Sequence, residues 1–214
     1  MTYLQLVNSV LRRLREDEVT TVAQNSYSKL IGEFVNDAKR IVEDSWDWSS
    51  LRTTLTVQTS ANVFSYALVG SGSALKTLDV INDTSNVFMK QASSSWMNNS
   101  FLNGEPARSS PCYYSWNGFN ESGYAVVDVY PIPNGVYDLR FNVVNRDAAF
   151  TDDVSVLNVP SAPVIHYAVA LAARERGETG GASAQELYSI ADSTLADAIA
   201  MDAARFPSET IWTS

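Results

Sequence analysis

One cysteine and one histidine are all that the 214 residues contain of either type, and the two scarcities remove much reactive chemistry at the outset. A lone thiol, Cys112, can form no disulfide within the chain, and no cysteine cluster can hold a metal. Set beside Tyr113 and Tyr114, it reads as a small apolar packing group. A lone imidazole, His166, cannot furnish a two-histidine metal site or a histidine relay within one chain. Its place beside Tyr167, early in an apolar helix, is that of a packing residue. Charge is scarce as well, at 18% of residues against the usual quarter. Basic side chains number 15 against 24 acidic ones, for a net charge of -9. The densest basic cluster is Arg12, Arg13 and Arg15. Counterion-release binding needs several converging cations, so tight binding to DNA or RNA is not expected. A negative surface suits a passage through which DNA must slide. No apolar run approaches the ~20 residues of a membrane span. The N-terminus also lacks the basic-then-apolar order of a signal peptide. A soluble protein made in a reducing compartment is the expectation.

What is present is helical periodicity at both ends. Leu4, Val7, Leu11 and Leu14, with Val10 alongside, form an apolar stripe at spacings of three and four, with Thr2 as N-cap. A longer helix follows, capped by Asn25 or Ser26, with Tyr27, Leu30, Ile31, Phe34, Val35, Ala38, Ile41 and Val42 in period. Lys29, Glu33, Asp37, Lys39, Arg40 and Glu43 fill its other face. Trp46 and Trp48, two residues apart, are expected to lock the helix–strand junction into the core. Near the other end, Ser161 or Ala162 starts a helix with Pro163 in its first turn, where no amide donor is needed. Gly177 is its natural C-cap. Ser183 with Glu186 reads as a capping box for a last helix bearing Leu187, Ile190, Leu195, Ile199 and Ala203.

Between these ends the period changes from 3.6 to 2. Leu51, Thr53, Leu55, Val57 and Thr59 alternate with polar residues in a half-buried strand. Further strands are expected over 62–68, 74–81, 87–91, 111–116, 124–130 and 136–145, with a short helix over 93–102. Turn clusters separate them, including Asn117-Gly118 and Asn134-Gly135. The second of these, after Pro131-Ile132-Pro133, is the strongest hairpin signal in the chain. With no helical crossovers between strands, antiparallel pairing is favoured. The expected fold class is α+β: a four-helix bundle made of N- and C-terminal helix pairs, carrying an inserted antiparallel β-rich domain. The boundaries fall at 1–48 for the first helical pair, 49–159 for the insertion, 160–206 for the second pair and 207–214 for a tail.

No catalytic, cofactor or metal site is expected. Asp152 and Asp153 would point to opposite faces of a strand or solvate a loop. Gly70-Ser71-Gly72 lacks the later residues of a phosphate loop and is explained by a turn. The run Tyr113, Tyr114, Trp116 and Phe119 suits a sheet core or a subunit interface; sugar stacking, as in a carbohydrate- or receptor-binding module, is the alternative. The tail is different. After the helix-stopping Pro207, a tryptophan on a segment with no packing period is costly unless it docks. Phe206, Ile211 and Trp212 are therefore expected to anchor to a neighbouring subunit or partner.

Several of these segments resemble one family. Leu6-Val7-Asn8-Ser9-Val10-Leu11-Arg12-Arg13-Leu14 resembles the opening helix of tailed-bacteriophage head-to-tail adaptor (connector) proteins, including the tail tubular protein A group. The second helix ending in Trp46-Asp47-Trp48, with a threonine-rich strand behind it, is similar to the same family. So is Tyr130-Pro131-Ile132-Pro133, leading to a Pro-initiated helix with Ala170-Leu171-Ala172-Ala173-Arg174-Glu175-Arg176-Gly177. One departure is Arg15-Glu16 where many members carry Gly-Glu after the first helix. The resemblance implies a structural virion protein without cofactor or catalytic residues, placed at the head–tail junction after assembly in the bacterial host cytoplasm. It implies a ring of roughly twelve copies beneath the portal protein, as one heterologous contact repeated around a closed rotation. Such a ring would extend the channel for genomic DNA and dock the next tail or nozzle protein.

Overall fold

The computed structural model describes residues 1–72, 74–102, 105–177 and 182–205, the side chains of 182–184 apart. Among them are five helices: α1 (Tyr3–Arg13), α2 (Ser26–Ser45), α3 (Ser94–Leu102), α4 (Ser161–Glu175) and α5 (Ala182–Ala203). Eight strands complete the set: β1 (Arg52–Gln58), β2 (Ser65–Ala67), β3 (Leu75–Asn82), β4 (Val87–Phe88), β5 (Lys90–Gln91), β6 (Tyr113–Phe119), β7 (Ala125–Tyr130) and β8 (Asp138–Asn145). They divide between two compact units, one of residues 1–50 with the described residues from 149 onward, the other Leu51–Ala148.

In the first unit the start of α1 is fully satisfied. A helix leaves its first amides without intrahelical partners, and in α1 each finds one. Tyr3 donates to the Ser155 carbonyl at 2.8 Å and Leu4 to that of Asp153 at 3.1 Å. Gln5 donates to the Thr2 hydroxyl, while the Gln5 side chain accepts from the Thr2 amide, closing the capping box. Asn25 and Ser28 make the same reciprocal arrangement at the start of α2. Loops are held by asparagines that imitate a strand partner. Asn8 exchanges two hydrogen bonds with Val19, and Asn36 does the same with Phe150.

The buried face of α1 comprises Tyr3, Leu6, Val7, Val10 and Leu11, while Leu4 and Leu14 of the expected stripe are half-buried. Because α1 packs against both α2 and α4, its apolar arc is broader than a single stripe. Tyr3 also approaches α2 at Gly32, where a Cβ would lie 2.3 Å from the Tyr3 hydroxyl and 2.9 Å from a Val22 methyl. Trp48 is buried as expected, its indole donating to the Val42 carbonyl at 2.7 Å, but Trp46 is exposed. The expected polar face of α2 also needs correcting. Lys39 and Glu43 are buried, joined at 3.0 Å, with the Lys39 ammonium 5.0 Å from the centre of the Phe150 ring. Their spacing of four residues lets each neutralise the other on one face.

The α+β composition holds, but the four-helix bundle with an inserted antiparallel β domain does not form. Helices α1, α2 and α4 pack on one another, and α4 is buried along most of its length. Helix α5 lies against α4 and buries little: among its described side chains only Ala191 and Asp202 are buried, while Ile190 and Met201 are exposed. The physical reason lies in its sequence. Leu187, Leu195 and Ile199 share one side of the helix but are only half-buried, and Ile190 is exposed, so α5 offers no second apolar face to close a bundle. Polar links hold it instead, among them the Tyr167 hydroxyl of α4 donating to Asp192.

The second unit is two four-stranded sheets packed face to face. Their orders are β1-β8-β3-β4 and β2-β7-β6-β5. Alternation decides the inward side chains: Val80, Leu139, Phe141 and Val143 from one sheet meet Tyr114, Val127 and Val129 from the other, with Leu68 and Met89. Each such burial stabilises by about 1.5–3 kcal/mol before chain entropy is counted. Three expectations fail here. Asn134-Gly135 closes no hairpin, because β7 and β8 belong to different sheets and the chain crosses between them there. Pairing is not wholly antiparallel either, since β5 runs parallel to β6. The Asn117-Gly118 turn also proves to lie inside β6, where the register shifts and Gly118 takes φ +82°.

Candidate interaction surface

The residues whose types suggest chemistry are scattered through the fold. His166 is half-buried on α4, its pKa lowered by burial and by the charge of Arg13. Asp153 accepts from the Val22 amide at 3.2 Å, a structural bond between loops. The Ser71 hydroxyl, in the Gly70-Ser71-Gly72 turn, accepts from the Ala125 amide at 2.8 Å. Cys112 is half-buried, and burial pushes its thiol pKa up, away from the reactive thiolate. Among the described residues no group of His, Cys, Asp and Glu is placed to hold a metal. No described helix is long and apolar enough to cross a membrane.

The aromatic run divides between the two faces of β6. Tyr114 is buried in the core and stands edge-on to Phe141 and Trp116. Trp116 also packs on Phe141, with ring centres 6.0 Å apart. Tyr113 faces the other way, against Trp96 of α3 at 4.9 Å. From there the rings continue through Tyr130 and Phe101 to Phe64, most pairs tilted or edge-on. Sugar stacking needs coplanar exposed rings, and this set serves mainly to seat α3 on the second sheet. A hollow of about 160 Å³ lies beside Trp116 and Phe119, lined also by Leu75, Gly118 and Ala125. That is small for a ligand cleft.

What the structure offers outward is surface. Phe206, Ile211 and Trp212 lie outside the described residues, but the point from which their segment departs is defined. Near the end of α5, the buried Asp202 accepts from the Ser49 hydroxyl at 2.5 Å, the Ser49 amide at 3.0 Å and the Trp46 indole at 3.1 Å. Burial alone would raise its pKa; the bonds from Ser49 and Trp46, with the charge of Arg205, outweigh burial and hold it below the ordinary value. Sequence reasoning missed this clamp, because residues 46 and 202 are related by no local period. A second clamp sits at the end of α4. Arg176 donates to the Tyr27 hydroxyl at 2.7 Å and to Glu16 at 2.5 Å, fixing the loop after α1.

The other outward feature is the edge of β1. This strand pairs with β8 along all seven of its residues without a bulge, and nothing among the described residues pairs with its other side. The remaining sheet edges are β2, β4 and β5, of three, two and two residues. Short edges resist pairing with another chain, and long uncharged ones invite it.

A family model described as SU10 adaptor protein matches residues 1–210. The chain belongs to that family, and is thus a bacteriophage adaptor, a structural component of the virion. No curated protein matches it.

Proposed function

We propose that this adaptor acts at the head–tail junction, in the manner of the tail tubular protein A group, as a ring of identical copies beneath the portal protein. The ring extends the channel for genomic DNA and presents a docking surface to the next tail or nozzle protein. The observation that carries this reading is the family match over nearly the whole chain. The net charge of -9 supports it, since a channel wall that repels phosphate lets DNA pass without holding it. Phe206, Ile211 and Trp212 serve as anchors to a neighbouring subunit or to portal. The role needs no cofactor, membrane or catalytic residue, and assembly takes place in the bacterial host cytoplasm.

Electron microscopy of the purified chain mixed with assembled portal tests this directly. Rotationally symmetric rings stacked on portal are the expected particles. A chain that stays monomeric beside portal at high concentration overturns the reading.

A further inference from the structure

We infer that the free edge of β1 receives residues 208–214 of a second copy of this chain as an added strand. The inference rests on the ring reading above and specifies the contact that repeats around it.

The acceptor is built for pairing. In an antiparallel ladder, residues alternate between those bonded to the partner strand and those whose amide and carbonyl point away from it. The Thr59 amide donates to the Tyr137 carbonyl at 2.9 Å, in register with the β1–β8 pairs, so Thr53, Leu55 and Val57 face β8. Thr54, Thr56 and Gln58 therefore direct their main-chain groups to the open side. Their side chains stand on the solvent face, where Thr54 and Gln58 are bonded to Asn142 and Asp138 of β8. The usual protections of an edge are missing from 53–58: there is no proline, no bulge, no lysine and no other charge. Leu55 and Val57 rest against the core and hold the strand straight for a newcomer.

The occupant is argued from the chain beyond α5. Pro207 cannot continue a helix. The segment after it, Ser208-Glu209-Thr210-Ile211-Trp212-Thr213-Ser214, includes four strong strand formers in succession. Its only charge is Glu209, and β1 has no acidic side chain to repel it. Pairing of β1 with β1 of a second copy would also cover the edge. That contact is self-complementary and stops at a dimer, whereas a segment of one copy on the edge of the next is heterologous and propagates to a ring.

Residue-resolved amide hydrogen exchange on the full chain, at dilute and at assembling concentrations, reads the edge directly. The comparison variant is the full chain carrying Ile211→Pro, which removes an amide and an apolar side chain from the added segment. The expected result is that Thr54, Thr56 and Gln58 exchange about tenfold or more slowly on assembly of the natural chain, but not in Ile211→Pro. A synthetic peptide of residues 206–214, added in trans to the dilute variant, restores the protection. Rings that form while these three amides stay fast overturn the inference and leave the ring intact. Protection that persists in Ile211→Pro assigns the edge to another occupant, portal or a second β1, and also overturns it. If no ring forms, the peptide decides: protection by the peptide upholds the strand addition although the ring reading has failed, and no protection sinks both.

Discussion

Asp202 shows how much one side chain can organise. Its carboxylate gathers three donors from Trp46 and Ser49, tying the end of α5 to the segment just beyond α2. Hydrogen bonds to a charged group contribute about 1.5–3 kcal/mol, so Asp202→Ala is expected to lower the urea midpoint markedly at neutral pH. The pH dependence follows from the lowered pKa. Folding favours the ionised form, so the contribution is complete above the unfolded value, about 4. It is lost as pH falls through the lower folded value. The gap between natural chain and variant, measured by urea titration, is therefore expected to hold at pH 6–7 and to narrow below about pH 4. A gap independent of pH would mean that the carboxylate's charge is not what matters. This clamp was illegible beforehand, because nothing in the sequence around residue 202 points to residues 46 and 49.

Among the elements, α2 carries the sharpest departure from its pattern. Lys39 and Glu43 read as solvent-facing because charged side chains usually are. Their burial follows from the packing of α1, α4 and the segment around Phe150 on this helix, where the two opposite charges offset each other. Removing one member of a buried ion pair costs about 3–5 kcal/mol, whereas replacing both with apolar residues of similar volume is often neutral or better. Lys39→Met is therefore expected to unfold at much lower denaturant than the natural chain, and Lys39→Met with Glu43→Leu to recover most of that loss. Additive losses in the double variant would show that the pair acts separately. At most other helix ends the pattern is faithful, although α5 begins at Ala182, ahead of the expected Ser183 cap. The Thr2 and Asn25 caps, Pro163 in the first turn of α4 and Gly177 just past its end occupy the expected places. Each depends on a few neighbouring residues, whose interactions sequence spacing displays directly.

For the molecule as a whole, the division into two units separates two kinds of stability. The Leu51–Ala148 unit is continuous in sequence and has its own core around Phe141, Val127 and Tyr114. Expressed alone, residues 51–148 are expected to melt cooperatively and to keep the near-ultraviolet signature of packed Trp116 and Tyr114. A broad, non-cooperative melt would show that the sheets depend on the helical unit. The helical unit joins distant parts of the chain, with the 152–157 segment bonded to the start of α1. Its folding therefore requires closure of a long loop, which costs entropy but only slowly more with length.

Local chemistry wrote the helices, their caps and most of the strands into the amino-acid order, since periodicity, capping and turn preference act over a few residues. The likeness to adaptor proteins, which the family match bears out at its coarser level, was legible there too. Partnership was another matter. That β7 and β8 part at Asn134-Gly135 into separate sheets, that α5 leans on α4 instead of closing a bundle, and that β1 has a neighbour on one side only among the described residues all depend on contacts between residues far apart in the chain. Such contacts are chosen by competition among many surfaces for burial, and no short window of sequence records which surface wins.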